Sequence, residues 1–192
     1  MKKPYRCGAT TLPKTVTLEQ FLTLPETEPA SEFGNGQITQ KPTPQGEHSL
    51  LQGKLCQAIN RVTEGTKIAL AFPELRCVFG GRAIVPDIAV FRWERIPRLP
   101  SGRIANPFEV PPDWVIEILS PEQKYSPVLS KLLACAEQGT ELGWRIDPED
   151  ESIWTVEGDR RIASFTGENH PPVLTGVDLL LTVTEVFGWL GL

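Results

Sequence analysis

The chain has 192 residues, 40% of them hydrophobic, enough for one globular domain with a substantial core and some peripheral decoration. Its formal net charge of −5 excludes a global basic field, so any nucleic-acid binding must use a local patch. No apolar run approaches the roughly 18 residues of a membrane span, and four scattered cysteines (Cys7, Cys56, Cys77, Cys135) with two histidines argue against a zinc centre.

The chain opens on "MKKPYRCGATTLPK", which is basic but leads into no apolar stretch. It reads as a loosely attached arm over 1–16 rather than a secretory signal, ahead of a single domain over 17–192. The cysteines among apolar neighbours read as buried free thiols, which fits a reducing cytoplasm. "TLEQFLTL" (17–24) has a Thr cap and helical apolar spacing. "SEFGNGQITQ" (31–40) carries a hairpin signal at Gly34-Asn35-Gly36. "KPTPQG" (41–46) breaks the pattern and launches a helix over 47–65, in which Leu51, Leu55, Ile59 and Val62 form the apolar face. His48 sits near the edge of that face.

In 67–93 the Gly80-Gly81 pair separates two β-rich runs, as a two-residue turn does. A proline- and arginine-rich loop (94–112) precedes a buried strand, "DWVIEILSP" (113–121). A helix over 126–139 starts with Ser126 as cap and Pro127 in the first position. Residues 141–167 read as three strands joined by turns, and the tail ends in a short helix.

Two carboxylates interrupt this apolar pattern. Asp87 lies inside "IVPDIAVF" and Glu117 inside "WVIEILS". A lone charge in such a strand costs several kcal/mol unless something compensates it. If Gly80 and Gly81 are the turn, the register sets Phe79 opposite Arg82 and, further out, Glu74 opposite Asp87. Directly opposed residues share a face. Were the strands of Asp87 and Glu117 neighbours, three carboxylates would converge on one point. Hard oxygen ligands with positions left for water suit Mg²⁺ or Mn²⁺.

"VPDIAVF" followed about thirty residues later by "WVIEILSP" resembles the PD-(D/E)XK phosphodiesterase superfamily. More narrowly, the order and spacing of blocks from about 17 to 190, with "EFGNGQITQ", "GEHSLLQGKL" and "LGWRIDP" among them, are similar to the bacterial Uma-type "putative restriction endonuclease" family. The resemblance implies an α/β (α+β) restriction-endonuclease-like fold: a mixed four-stranded central sheet flanked by helices, here with an N-terminal helix and hairpin and a short C-terminal helix. It implies a divalent metal held by Asp87 and Glu117, with Glu74 and His48 where relatives carry further polar groups. The superfamily lysine belongs two residues after the glutamate, where this chain has Leu119. In the Uma-type branch that lysine is thought to migrate to the following helix, which makes Lys131 the candidate, with Lys124 next.

The expected activity is a Mg²⁺- or Mn²⁺-dependent phosphodiesterase, most naturally a DNA endonuclease. Lys131 would assist water attack, His48 would support the site, and Arg92, Arg95, Arg98 and Arg103 would contact the DNA backbone. By analogy such enzymes pair to cut two strands, so a homodimer is expected. The competing reading is a fold relative that no longer cuts and serves as a DNA-binding or assembly module. A hydrolase for a small phosphoester is a weaker third.

Overall fold

Thr17 starts the first helix by a reciprocal cap. Its hydroxyl accepts from the Gln20 amide at 3.2 Å, and the Gln20 side chain accepts from the Thr17 amide at 3.1 Å. α1 (Leu18–Leu22) follows. The computed structural model describes residues 16–121, 123 and 125–191; most of the expected arm, with Cys7, and the second lysine candidate, Lys124, lie outside them. No helix among the described residues is long and apolar enough to cross a membrane.

The hairpin signal yields β1 (Ser31–Gly34) and β2 (Gln37–Gln40). Asn35 and Gly36 take φ of 53° and 74° at its turn, the left-handed pair that an Asn-Gly turn supplies. α2 (Gly46–Thr63) buries Leu51, Leu55 and Ile59 at the expected spacing.

The run expected to form one long hairpin becomes four strands: β3 (Ala69–Pro73), β4 (Cys77–Phe79), β5 (Arg82–Ile84) and β6 (Ile88–Arg92). The glycine turn is where the sequence put it, with Phe79 opposite Arg82 and Val78 opposite Ala83. The same register continues beyond the break, with Pro73 opposite Ile88 and Ala71 opposite Val90. Yet the two halves belong to different sheets. Pro86 has no amide to give a ladder, so pairing lapses between Ile84 and Ile88 and the ribbon turns from one sheet into the other.

The remaining elements are β7 (Trp114–Ile118), α3 (Tyr125–Ala136), β8 (Leu142–Asp147), β9 (Ser152–Glu157), β10 (Ile162–Thr166) and α4 (Val183–Gly188). α3 begins one residue before the expected Ser126 cap. The larger sheet has six strands rather than four, in the order β10-β9-β8-β7-β6-β3. It is mixed, since β7 and β8 run parallel and their neighbours antiparallel. The smaller sheet runs β2-β1-β5-β4. Cys77 and Cys135 are buried free thiols, and Cys56 is half-buried.

Helices cover both faces of the larger sheet. Ile88, Val90, Trp114 and Ile116 pack with Leu51, Leu55 and Ile59 of α2 and with α4. Ala89, Phe91 and Val115, of opposite parity, pack with Leu132 and Cys135 of α3. α3 sits close because Gly143 leaves room: a Cβ there would lie 3.0 Å from Leu132.

Gly80 combines φ of +54° with crowding, since an added Cβ would sit 2.6 Å from Gln138. Gly80→Ala should therefore cost about 1–3 kcal/mol by denaturant unfolding. Gly53→Ala, in α2 with nothing near the added methyl, should instead gain up to about 1 kcal/mol. Equal effects at the two sites would contradict the turn geometry.

Candidate active site

Strand register brings Asp87 and Glu117 together. β6 and β7 are antiparallel with Ile88 opposite Ile116. One step further, that register sets Asp87 opposite Glu117, and strand parity turns Glu117 to the face of Val115, beneath α3. Both carboxylates are buried, at 2% and 3% exposure. Two such groups side by side repel each other and lose hydration, so each needs local compensation.

Asp87 finds it from three directions. Oδ1 accepts from Lys41 Nζ at 2.5 Å. Oδ2 accepts from the Ile118 amide at 2.7 Å and lies 3.1 Å from His48 Nε2. Burial alone would raise the acid, but the His48 contact and the Lys41 charge win and hold it well below the usual carboxylate range. The Asp87 carbonyl is also anchored, accepting from Gln52 Nε2 at 2.8 Å. Lys41 feels an opposed pair of effects. Burial disfavours its charge, but Asp87 and Glu117 outweigh that and raise its pKa.

Glu117 is compensated less fully. Burial pushes its acid up to about 7, against the pull of Lys131. Lys131 Nζ lies 2.9 Å from Glu117 Oε1, yet off the line of a hydrogen bond, and that oxygen has no hydrogen-bond donor among the described residues. The ammonium donates instead to Glu32 Oε1 at 2.8 Å. Glu32 reaches in from β1 and also accepts from the Val85 amide at 2.8 Å. Burial works against the Lys131 charge, but the two glutamates hold its pKa well above the ordinary lysine value. Glu32, Lys41, His48, Asp87, Glu117 and Lys131 line one cavity of about 740 Å³.

Of the residues singled out in sequence, Asp87, Glu117, Lys131 and His48 meet here. Glu74 does not. Its amide donates to the Asp87 carbonyl at 3.1 Å, so the register is right. But Glu74 takes φ of +46° where the ribbon changes sheets, which breaks the strand alternation and leaves the side chain exposed, away from the cavity. The arginine loop is also displaced from the site. Arg92 and Arg95 lie at the far end of β6 from Asp87, with Arg92 clasping Glu141 in two bonds of 2.7 Å and Arg95 paired to Asp113. Arg98 stacks over Trp93 at 5.3 Å. Sequence reasoning missed Glu32 and Lys41. Neither interrupts an apolar run, so nothing local marks them.

The donor chemistry suits a hard divalent cation. Two carboxylates line one cavity, and among the described residues Glu117 Oε1 has the Lys131 ammonium beside it but no hydrogen-bond donor. Among the described residues, no group of three His, Cys, Asp or Glu side chains forms a metal cage. Mg²⁺ needs none, because it retains water and takes one or two carboxylates with substrate phosphate.

Comparison with known proteins agrees with this architecture. The model of one family, Uma2, described as "Putative restriction endonuclease", matches residues 18–183. Among solved structures, the chain is similar to one described as a "putative nuclease belonging to DUF820", from Anabaena variabilis ATCC 29413. The two share 46% identity and a TM-score of 0.89, over 91% of this chain and 99% of that one. No curated protein matches.

Glu117 sets a pH dependence whose sign is fixed. Its acid is raised from 4.5 to about 7 in the folded protein. The stabilising effect is therefore complete below the lower value and is lost as pH rises through the higher one. In chelator-containing buffer, Glu117→Gln should gain on the wild type between about pH 5 and about pH 8, by ~1–3 kcal/mol at the upper end. Unfolding curves whose separation stays constant over that range would show that the carboxyl is not a raised acid.

Proposed function

The chain belongs to the Uma2 putative restriction endonuclease family, and from that premise we propose that it is a divalent-metal-dependent DNA endonuclease whose metal is held by Asp87 and Glu117. The β6–β7 register carries this reading, because it sets two buried carboxylates opposite each other in a cavity that lysines also line. Bound there, Mg²⁺ or Mn²⁺ would supply Lewis acidity at the scissile phosphate and lower the pKa of the attacking water.

The chain's own residues would do the rest. Lys131, steered by Glu117 and Glu32, is positioned to neutralise charge that grows on the phosphate as the nucleophile adds. It would do so in place of a lysine at position 119, where Leu119 is buried. His48 fixes the orientation of Asp87 from α2. Lys41 holds Asp87 Oδ1 and would share that carboxylate with a bound cation. A homodimer would present one such cluster to each DNA strand.

One observation favours a second reading. Three carboxylates (Glu32, Asp87, Glu117) already meet two lysines, with His48 also in contact with Asp87, so much of the cluster's charge is compensated by protein alone. A DNA-binding or assembly module that no longer cuts needs nothing more.

Nicking of supercoiled plasmid separates the two. With Mg²⁺ or Mn²⁺ the wild type should nick, while Asp87→Ala should abolish both nicking and Mn²⁺ binding. Lys131→Ala should retain the metal but slow cleavage by about 10²-fold or more. An inert wild type that still binds DNA selects the module, and equal nicking by all three proteins moves the chemistry elsewhere.

A further inference from the structure

A second cavity, of about 1040 Å³, adjoins the first and shares His48, Pro121 and Gln123 with it. It lies where the start of α2, the segment after β7 and the β8–β9 turn meet. One wall is the ring of Tyr125, which remains 47% exposed. That ring is held in place. Its hydroxyl donates to Asp150 Oδ2 at 3.2 Å, and the Arg145 guanidinium stands 4.5 Å from its centre. Arg145 is itself stacked at 4.9 Å on Trp154. Tyr125 is thus an exposed, braced aromatic ring beside a cation, in the lining of the cavity.

The other walls carry unmet hydrogen-bonding groups. Ser120 Oγ, Asp147 Oδ2 and His48 Nδ1 are buried without a partner among the described residues. Asp147 Oδ1 is engaged, accepting from the Glu149 and Asp150 amides to close the turn, so Oδ2 is the oxygen left over. The side chain of Gln45 makes no cap at the start of α2, which leaves first-turn amides as further donors. Unpaired groups in a protein interior are costly, and a ligand that meets them recovers that cost.

These features together select a ligand. It must offer a flat face to Tyr125 and an edge with both donors and acceptors. It must be uncharged, because Glu47, Asp147 and Glu149 line the cavity and would repel a phosphate. We infer that this cavity is a nucleobase subsite, in which an unpaired base stacks on Tyr125 and presents an amino group to Asp147 and its ring edge to Ser120. A carboxylate acceptor favours adenine, cytosine or guanine, which carry exocyclic amines, over thymine. The placement rests on the endonuclease reading, since a strand with its phosphate at Asp87 and Glu117 would deliver the adjoining base here past His48.

The test uses the full chain in low-salt buffer with chelator, so that nothing is cut. Fluorescence anisotropy would compare a short adenine-containing single-stranded oligodeoxynucleotide with one of equal charge bearing abasic sites. The intact strand should bind about fivefold tighter or more, as stacking on an aromatic plate implies. Tyr125→Ala should erase that preference, and Tyr125→Phe should keep most of it. A 2-aminopurine in the strand should be quenched by the wild type and not by Tyr125→Ala. Equal binding of the two strands by the wild type, or binding of neither, overturns the inference without any variant. The outcomes also separate the two proposals. Base-dependent binding by a protein that does not nick plasmid rejects the endonuclease reading alone, and nicking by a protein blind to the base rejects the subsite alone.

Discussion

The structure depends on one pairing. β6 and β7 are antiparallel in a register that, carried one residue past Ile88–Ile116, brings Asp87 against Glu117 in the interior. Such a pair stands only if cations and hydrogen-bonding groups come to it, and the parts around it deliver them. Lys131 reaches Glu117 because α3 lies close on the sheet, over the gap at Gly143. Lys41 reaches Asp87 from the segment that launches α2, and His48 reaches it from the first turn of that helix. Glu32 arrives by way of the smaller sheet, through the Phe33–Ala83 pairing, and steadies Lys131 from the other side.

Val85 and Pro86 form the junction that lets both sheets contribute. The Val85 amide donates to Glu32 and its carbonyl accepts from Lys41, so one peptide segment ties both partners to the strand of Asp87. Pro86 ends the ladder of the smaller sheet and releases the chain into the larger one. The proline before the aspartate is therefore a topological device. It moves Asp87 off the hairpin that precedes it and to the head of β6, one residue before the ladder with β7 begins.

The compensation is uneven, and the unevenness is chemical information. Asp87 is well satisfied and remains an anion, whereas Glu117 keeps a buried oxygen without a hydrogen-bond donor among the described residues and an acid pushed up to about 7. A buried group left short is where a cation or a proton gains most. The second cavity repeats the pattern nearby, with polar atoms unmet among the described residues next to a braced aromatic ring. His48 borders both, its Nε2 on Asp87 and its Nδ1 without a partner among the described residues, so a single helical turn joins the two cavities.

Elements with strong local signals were legible in the sequence: the Asn-Gly hairpin, the apolar stripe of α2, the glycine turn with its register, and the three strands after α3. So was the oddity of Asp87 and Glu117, because a carboxylate in an apolar strand contradicts its own neighbours. The resemblance drew attention to Lys131. What could not be read locally was direction and distance. Glu74 had the right register and the wrong orientation, because one residue with positive φ cancels the alternation on which the inference relied. Glu32 and Lys41 sit in unremarkable polar stretches, 55 and 46 residues from Asp87, and only packing shows what they touch. Sequence alone marked Asp87 and Glu117 as carboxylates that would need compensation, since an apolar run on both sides implies burial, but it did not mark Asp113 or Asp147, which are buried as deeply. Tertiary structure decided who supplies it, since partners in an ion pair are chosen by proximity in space, and a chain that passes between two sheets makes distant residues neighbours.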